Sequence, residues 1–241
     1  MKIRLAKYKD RQKFLIIEKR YRRNKPVISL GCDCHPAYVL KALNLRTLNY
    51  PFDWLSTTPS KGMDYVNKNI EERFKFFSTN LEKNKSGDVI SNNYPDAQFL
   101  HCPGLIDNQK LQREIHKNSR RFIDYFNNKK CLFLFNVTSA GLESSRDVSF
   151  FLDSIKEFHE LSNGFHSLHI YIRYDESFAE NETNCEFVEK ELRKLKRTSV
   201  VKYIRYRSEY GIWGNKDSYC DLLTSLGVLK LDFPKIRLST E

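Results

Sequence analysis

The sequence predicts an α/β fold: a single three-layer domain on a mostly parallel sheet, preceded by a basic N-terminal helix. Three observations carry this. Apolar runs of strand length alternate with amphipathic segments of helix length, the pattern left by βαβ crossovers. At 241 residues and 40% hydrophobic composition, the chain can bury one sizeable core. The net charge of +11 is concentrated, because residues 1–25 hold eleven Lys or Arg against Asp10 and Glu18. The expected division is therefore a basic amphipathic helix over 1–25 and an α/β domain over 26–241.

In the first segment Leu5, Tyr8 and Leu15, with Phe14, Ile17 and Tyr21, recur at helical spacing. Pro26 and the run VISLG then predict a short buried strand closed by Gly31. Pro36 suits the first turn of a helix reaching about Leu43. An aromatic connection, RTLNYPFDWLS, follows. Thr58 and Pro59 read as an N-cap and first helical residue, opening a helix through Phe77. NLEKNKSGD reads as a polar loop, and DVISNNYPDAQFLHCPG as two short extended pieces, the second ending at His101. A helix over 107–127 places Leu111, Ile115, Phe122 and Phe126 on one side. Strands are expected over 130–137, 167–174 and 199–207, and helices over 144–161, 186–197 and 216–226.

The same reading excludes several functions. No run of about 18 apolar residues could span a membrane. The basic start lacks the apolar stretch of a secretory signal, so six reduced cysteines and a cytoplasmic protein are expected. The basic helix could hold it peripherally on an anionic membrane surface, or dock on an acidic partner. Specific nucleic-acid recognition is not expected: there is no zinc-finger spacing, and the positive charge stops at the first segment. With neither a Walker loop nor G-x-G-x-x-G, no cofactor is implied.

The candidate chemistry lies at Gly31 to Pro36, where the first core strand gives way to a helix. Open α/β sheets gather their sites beyond the carboxyl ends of the strands. A thiol at a helix N-terminus meets unpaired N–H groups and the positive end of the helix dipole, which favour thiolate. Cys34, two residues before Pro36, is on that ground the better nucleophile; Cys32 is a core residue or a resolving thiol. Cys131, Cys185 and Cys220 read as core, and His116, His159, His166 and His169 as structural.

Ser29-Leu30-Gly31, Cys34, Leu40-Lys41, Leu45-Arg46 and Pro51-Phe52-Asp53-Trp54 together resemble the DUF1796 family, described as papain-like cysteine peptidases. Phe99-Leu100-His101 and Trp213 match its later landmarks. The resemblance is dense over 28–55 and thinner to about 102. It implies Cys34 as nucleophile and His101 as general base, in the chain order of papain-like enzymes. A third group would orient the imidazole, and Asn136 and Asp53 are the two candidates. Asp53 has an equal claim to a structural role as a helix cap. Two features depart from papain: the βαβ alternation after residue 130, and the absence of a glutamine just before the cysteine.

The expected activity is cysteine-dependent acyl chemistry, a hydrolase or acyltransferase acting on a peptide, ester or glycan substrate. The alternative is a non-catalytic binding module with a basic docking helix. In that alternative Cys32, Cys34 and His35, with His101 and Cys102, could form a zinc site, although Cys-x-Cys is less usual than Cys-x2-Cys.

Overall fold

A computed structural model describes residues 2–8, 11–23, 25–176 and 182–240. The chain opens with two strands, β1 (Lys2–Tyr8) and β2 (Arg11–Arg22). Strand β3 (Val27–Ser29) leads through a loop into helix α1 (His35–Ala42). The middle section holds β4 (Ser56–Thr57), α2 (Gly62–Glu71), β5 (Leu81–Lys83), β6 (Val89–Ser91) and β7 (Tyr94–Gln98). Then come α3 (Gln109–Asn128), β8 (Leu132–Thr138), α4 (Ser145–Leu161), β9 (Ser167–Asp175), α5 (Glu182–Arg193) and β10 (Thr198–Arg205). The four-residue helix α6 (Arg207–Tyr210), α7 (Tyr219–Ser225) and β11 (Lys230–Thr240) complete the chain.

The fold is mixed α/β with three sheets, one of them wholly parallel. That sheet has the order β10-β9-β8-β3, so each strand lies beside its predecessor in the sheet. Strand β8 shows how the sequence builds it. Its run Leu-Phe-Leu-Phe-Asn-Val is buried throughout because both faces of the strand are covered. Phe133 and Phe135 face a core shared with Phe122 of α3 and Phe151 and Phe158 of α4. Leu132 and Leu134 face the other way, onto Val39 and Leu40 of α1 and Leu222 and Leu223 of α7. Each such side chain contributes about 1.5–3 kcal/mol by leaving water.

A second sheet, β4-β7-β6-β5, is antiparallel and lies in the chain between α1 and α3. It includes a strand, β5, in the segment expected to be a loop. Helix α2 stops at Glu71, short of the expected Phe77. Arg73 and Phe74 take positive φ, 50° and 61°, and the chain turns Phe74 and Phe77 inward onto Phe52. Aromatic burial overrides the continuing helical pattern there. Helix α5 likewise ends at Arg193, before the expected 197.

The expected basic helix over 1–25 is corrected. Residues 1, 9, 10 and 24 of it lie outside the described set; residues 2–8 and 11–22 form β1 and β2, which pair antiparallel, with β11 on the far side of β2. The same apolar residues satisfy both periods, since Leu15, Ile17 and Tyr21 also fall at every second or fourth position. Non-local pairing with β11, more than 200 residues away, decides for the strand. Among the described residues no helix is long and apolar enough to cross a membrane.

Candidate functional site

The parallel sheet presents the carboxyl ends of β3, β8, β9 and β10 along one rim. The loop after β3 turns sharply there, and only glycine fits at residue 31. A Cβ on Gly31 would lie 2.1 Å from the Asp33 carbonyl oxygen and 2.8 Å from Asn136 Oδ1. The turn delivers Cys34 to the N-cap of α1, half-buried, with Pro36 in the first helical turn. Cys32 points inward instead. It is fully buried against Gly62, the first residue of α2, and its carbonyl accepts from the Thr57 N–H at 2.8 Å.

Asp33, between the two cysteines, is the hub of the site. Its Oδ1 accepts from the His35 N–H at 2.9 Å and from Asn136 Nδ2 at 3.0 Å, and its Oδ2 pairs with Arg173 Nη1 at 2.6 Å. Asn136 and Arg173 come from the α1-facing side of β8 and β9, near the strands' carboxyl ends. Both are buried, and both keep one atom without a hydrogen-bond partner, Asn136 Oδ1 and Arg173 Nε. A second pair stands on the same rim, with Arg205 holding Asp175 through Nε at 2.6 Å and Nη2 at 2.5 Å.

His35 is buried beneath a strap formed by residues 206–218. Its Nε2 is 3.1 Å from the Trp213 carbonyl, which can only accept, so Nε2 carries the proton. Its Nδ1 therefore accepts from the Tyr171 hydroxyl at 2.6 Å. Tyr219 donates to the same Trp213 carbonyl at 2.5 Å, and the Trp213 ring stacks on Tyr38 of α1 at 3.9 Å. Burial first, and then the Arg173 charge, pushes the His35 imidazole down to about 4. Neutral, with both nitrogens occupied, it is a structural residue and no metal ligand. Among the described residues, no group of three His, Cys, Asp or Glu could hold a metal ion.

Electrostatics at the thiols run against the helix dipole. Burial, followed by the neighbouring Asp33 charge, pushes the Cys34 thiol up to about 11. The same two causes raise Cys32 further. For Asp33 itself burial works upward, but Arg173 and the His35 N–H outweigh it and hold the carboxyl below its ordinary value. Cys34 is therefore protonated at rest.

The structure brings Asn136 to the Cys34 loop, through Asp33. It does not bring His101 or Asp53 there. His101 is exposed and stands edge-on to Trp54 at 5.4 Å; among the described residues no hydrogen bond or ring contact joins it to Cys34. Asp53 is buried, accepting from the Ser29 hydroxyl, from the Tyr50 N–H at 2.8 Å, and from Arg46 Nε and Nη2 at 3.0 and 2.7 Å. Burial raises its carboxyl despite these donors. The guanidinium that holds Asp53 also lies over Trp54, at 5.0 Å, so Asp53, Arg46, Trp54 and His101 form one chain of contacts.

Asp33, Arg173 and Arg205 were not among the residues singled out from sequence. Arg173 left a signal: a charge inside the alternating run LHIYIRY, at a position where the strand is otherwise buried. His159, His166 and His169 all bond to neighbouring backbone or hydroxyl groups, as their structural reading expects.

A family model described as "Putative papain-like cysteine peptidase (DUF1796)" matches residues 25–157. No curated protein and no solved structure matches the chain.

Proposed function

Because the chain belongs to the DUF1796 family, described as putative papain-like cysteine peptidases, we propose that it is a cysteine-dependent enzyme of acyl chemistry with Cys34 as nucleophile. The observation that carries this reading is the placement of a half-buried thiol at the N-cap of α1, on the carboxyl rim of a parallel sheet. We read that sheet and the helices on its two faces as the three-layer catalytic core. In the reaction Cys34 Sγ attacks the carbonyl carbon of a peptide, ester or acylated glycan. A thioester forms as the leaving group departs. Water releases the acid in a hydrolase; a second nucleophile takes the acyl group in a transferase.

The thiol proton has to move as the C–S bond forms, because Cys34 is protonated at rest. His101 is the proposed acceptor and returns the proton to the leaving group. This role requires the Trp54–His101 segment to close over Cys34 when substrate binds, and apo geometry is commonly looser than the reacting complex. Asn136 positions the Cys34 loop through Asp33, and Asp53 fixes the segment that carries Trp54. N–H groups at Cys34 and His35 are the candidates for stabilising the oxyanion.

One observation favours a second reading, a non-catalytic binding module. The thiol is held protonated, and no base is in hydrogen-bond contact with it among the described residues. Labelling with a peptidyl or acyl electrophile, read residue by residue by mass spectrometry, separates the two. The enzyme reading expects Cys34 to label ahead of Cys102 and Cys220, and His101→Ala to slow it. Equal, slow labelling of all three thiols would favour the binding module.

A further inference from the structure

The terminal sheet β1-β2-β11 carries most of the chain's positive charge. Together its strands hold eleven Lys or Arg against Glu18 and Asp232, so they account for +9 of the chain's +11. Opposed residues on antiparallel strands point to the same side. One face therefore gathers Ile3, Leu15 and Leu238, Ile17 opposite Ile236, and Tyr21 opposite Leu231. Alternation along β2 puts Arg11, Lys13 and Lys19 at positions of that same face. Glu18, opposite Lys235, and Asp232, opposite Arg20, fall on the other. Among the described residues of the sheet, the aliphatic face thus carries cations and no acid.

That face lies open. Leu231, Ile236 and Leu238 are 61–68% exposed, and Phe233, in the bulge of β11 opposite Lys19, is 89% exposed. Arg11 is exposed at the start of β2. At the base of the sheet Tyr21 packs on the core beneath α1 and α7. Beyond that, among the described residues, no other element packs extensively on these strands.

We infer that this face docks on an anionic lipid surface. Leu231, Phe233, Ile236 and Leu238 enter the boundary between headgroups and acyl chains, and the cations beside them meet the acidic headgroups. The chemistry of the face chooses this occupant over three others. A second copy would set Arg11, Lys13 and Lys19 of one chain against the same cations of the other. A folded acidic partner needs more surface. Three strands about 4.8 Å apart, of about eleven residues at about 3.3 Å each, present roughly 500 Å²; a standard interface takes about 800 Å² a side. A nucleic acid answers the cations through its phosphates but leaves Leu231, Phe233, Ile236 and Leu238 in water. A lipid surface takes up both kinds of side chain at once and needs no complementary shape.

Co-sedimentation of the full chain with vesicles tests the inference, with circular dichroism as the check on folding. Vesicles of phosphatidylcholine with about 30% phosphatidylserine should bind it at least about tenfold more tightly than phosphatidylcholine alone, and about 0.5 M salt should weaken that binding. Leu238→Ser should weaken it about tenfold by removing an inserted side chain. Arg11→Gln should weaken it about fivefold by removing one cation. Phe187→Ser, which removes an exposed side chain of α5 away from the sheet, should leave it unchanged. Hydrogen exchange of the unmodified chain is a second readout that needs no variant: amides of 230–240 should slow when the phosphatidylserine vesicles are added. Failure to bind these vesicles overturns the inference, as does equal binding to phosphatidylcholine alone. Equal weakening by Leu238→Ser and Phe187→Ser, or unaltered exchange over 230–240, overturns it too. So does binding that Arg11→Gln weakens and Leu238→Ser does not, which would make the partner a soluble polyanion met by charge alone.

Discussion

At Cys34 two influences act on one thiol with opposite sign. The N-terminus of α1 offers partial positive charge, worth a fraction of a kcal/mol to about 1 kcal/mol at an exposed site. Burial and the Asp33 carboxylate oppose it and win, placing the thiol near 11. The alkylation rate of Cys34 should therefore be low at neutral pH and climb toward a midpoint near 11, well above the roughly 8.5 of a free thiol. Asp33→Asn should shift that midpoint down by removing the charge. The same change leaves Arg173 buried and unpaired, which costs about 3 kcal/mol in denaturant unfolding. A midpoint below 8 would show that the dipole governs instead, and one near 11 that Asp33→Asn does not move would leave burial as the whole cause. The candidate thiol was legible from local pattern, as a strand followed by a cysteine and a helix-starting proline. Its electrostatics were not, because Asp33 meets Asn136 from 103 residues away and Arg173 from a strand further on. No local window contains those partners.

Among the elements, α1 depends on a segment far from it in the chain. The strap 206–218 sets the Trp213 carbonyl against His35 and Tyr219 and lays the Trp213 ring on Tyr38. Trp213→Ala removes a stacked aromatic pair, worth about 0.5–1.5 kcal/mol beyond its buried area. A total loss of about 2 kcal/mol in unfolding free energy is expected, with faster hydrogen exchange over 206–218 and in the first turn of α1. An unchanged exchange rate in α1 would show that the strap lies on the helix without holding it. Elements whose pattern is local were readable in advance: β3, α1, α3, β8, α4, β9 and β10 all fall where periodicity puts them. The terminal sheet was not. Ile17 and Tyr21, four residues apart, fit a helix and a strand alike, and the strand wins because β11 supplies a hydrogen-bonded neighbour from the other end of the sequence.

On the scale of the whole molecule, stability is tied to pH through histidines kept neutral inside the fold. His35 is lowered to about 4, first by burial and then by Arg173. His159, His166 and His169 are lowered too, each chiefly by burial. In the unfolded chain these side chains titrate near 6.5. Between 6.5 and 4 the unfolded state therefore binds more protons than the folded state, so acidification favours unfolding. For His35 this stability is fully present above pH 6.5 and lost as pH falls toward 4, about 3 kcal/mol in all. Asp33, held below its ordinary value, extends the loss to still lower pH. Asp53 has the opposite sign: its raised carboxyl is relieved of its burial cost when protonated, and it adds nothing to the acid loss. Urea midpoints measured from pH 7 to pH 4 should fall steadily. His35→Gln keeps a donor and an acceptor but does not titrate, so it should flatten the largest part of that fall while lowering stability at pH 7. A midpoint that stays constant between pH 6.5 and 4.5 would mean that His35 is already protonated in the folded protein. The Tyr171 and Trp213 contacts would then have to be reassigned around an imidazolium.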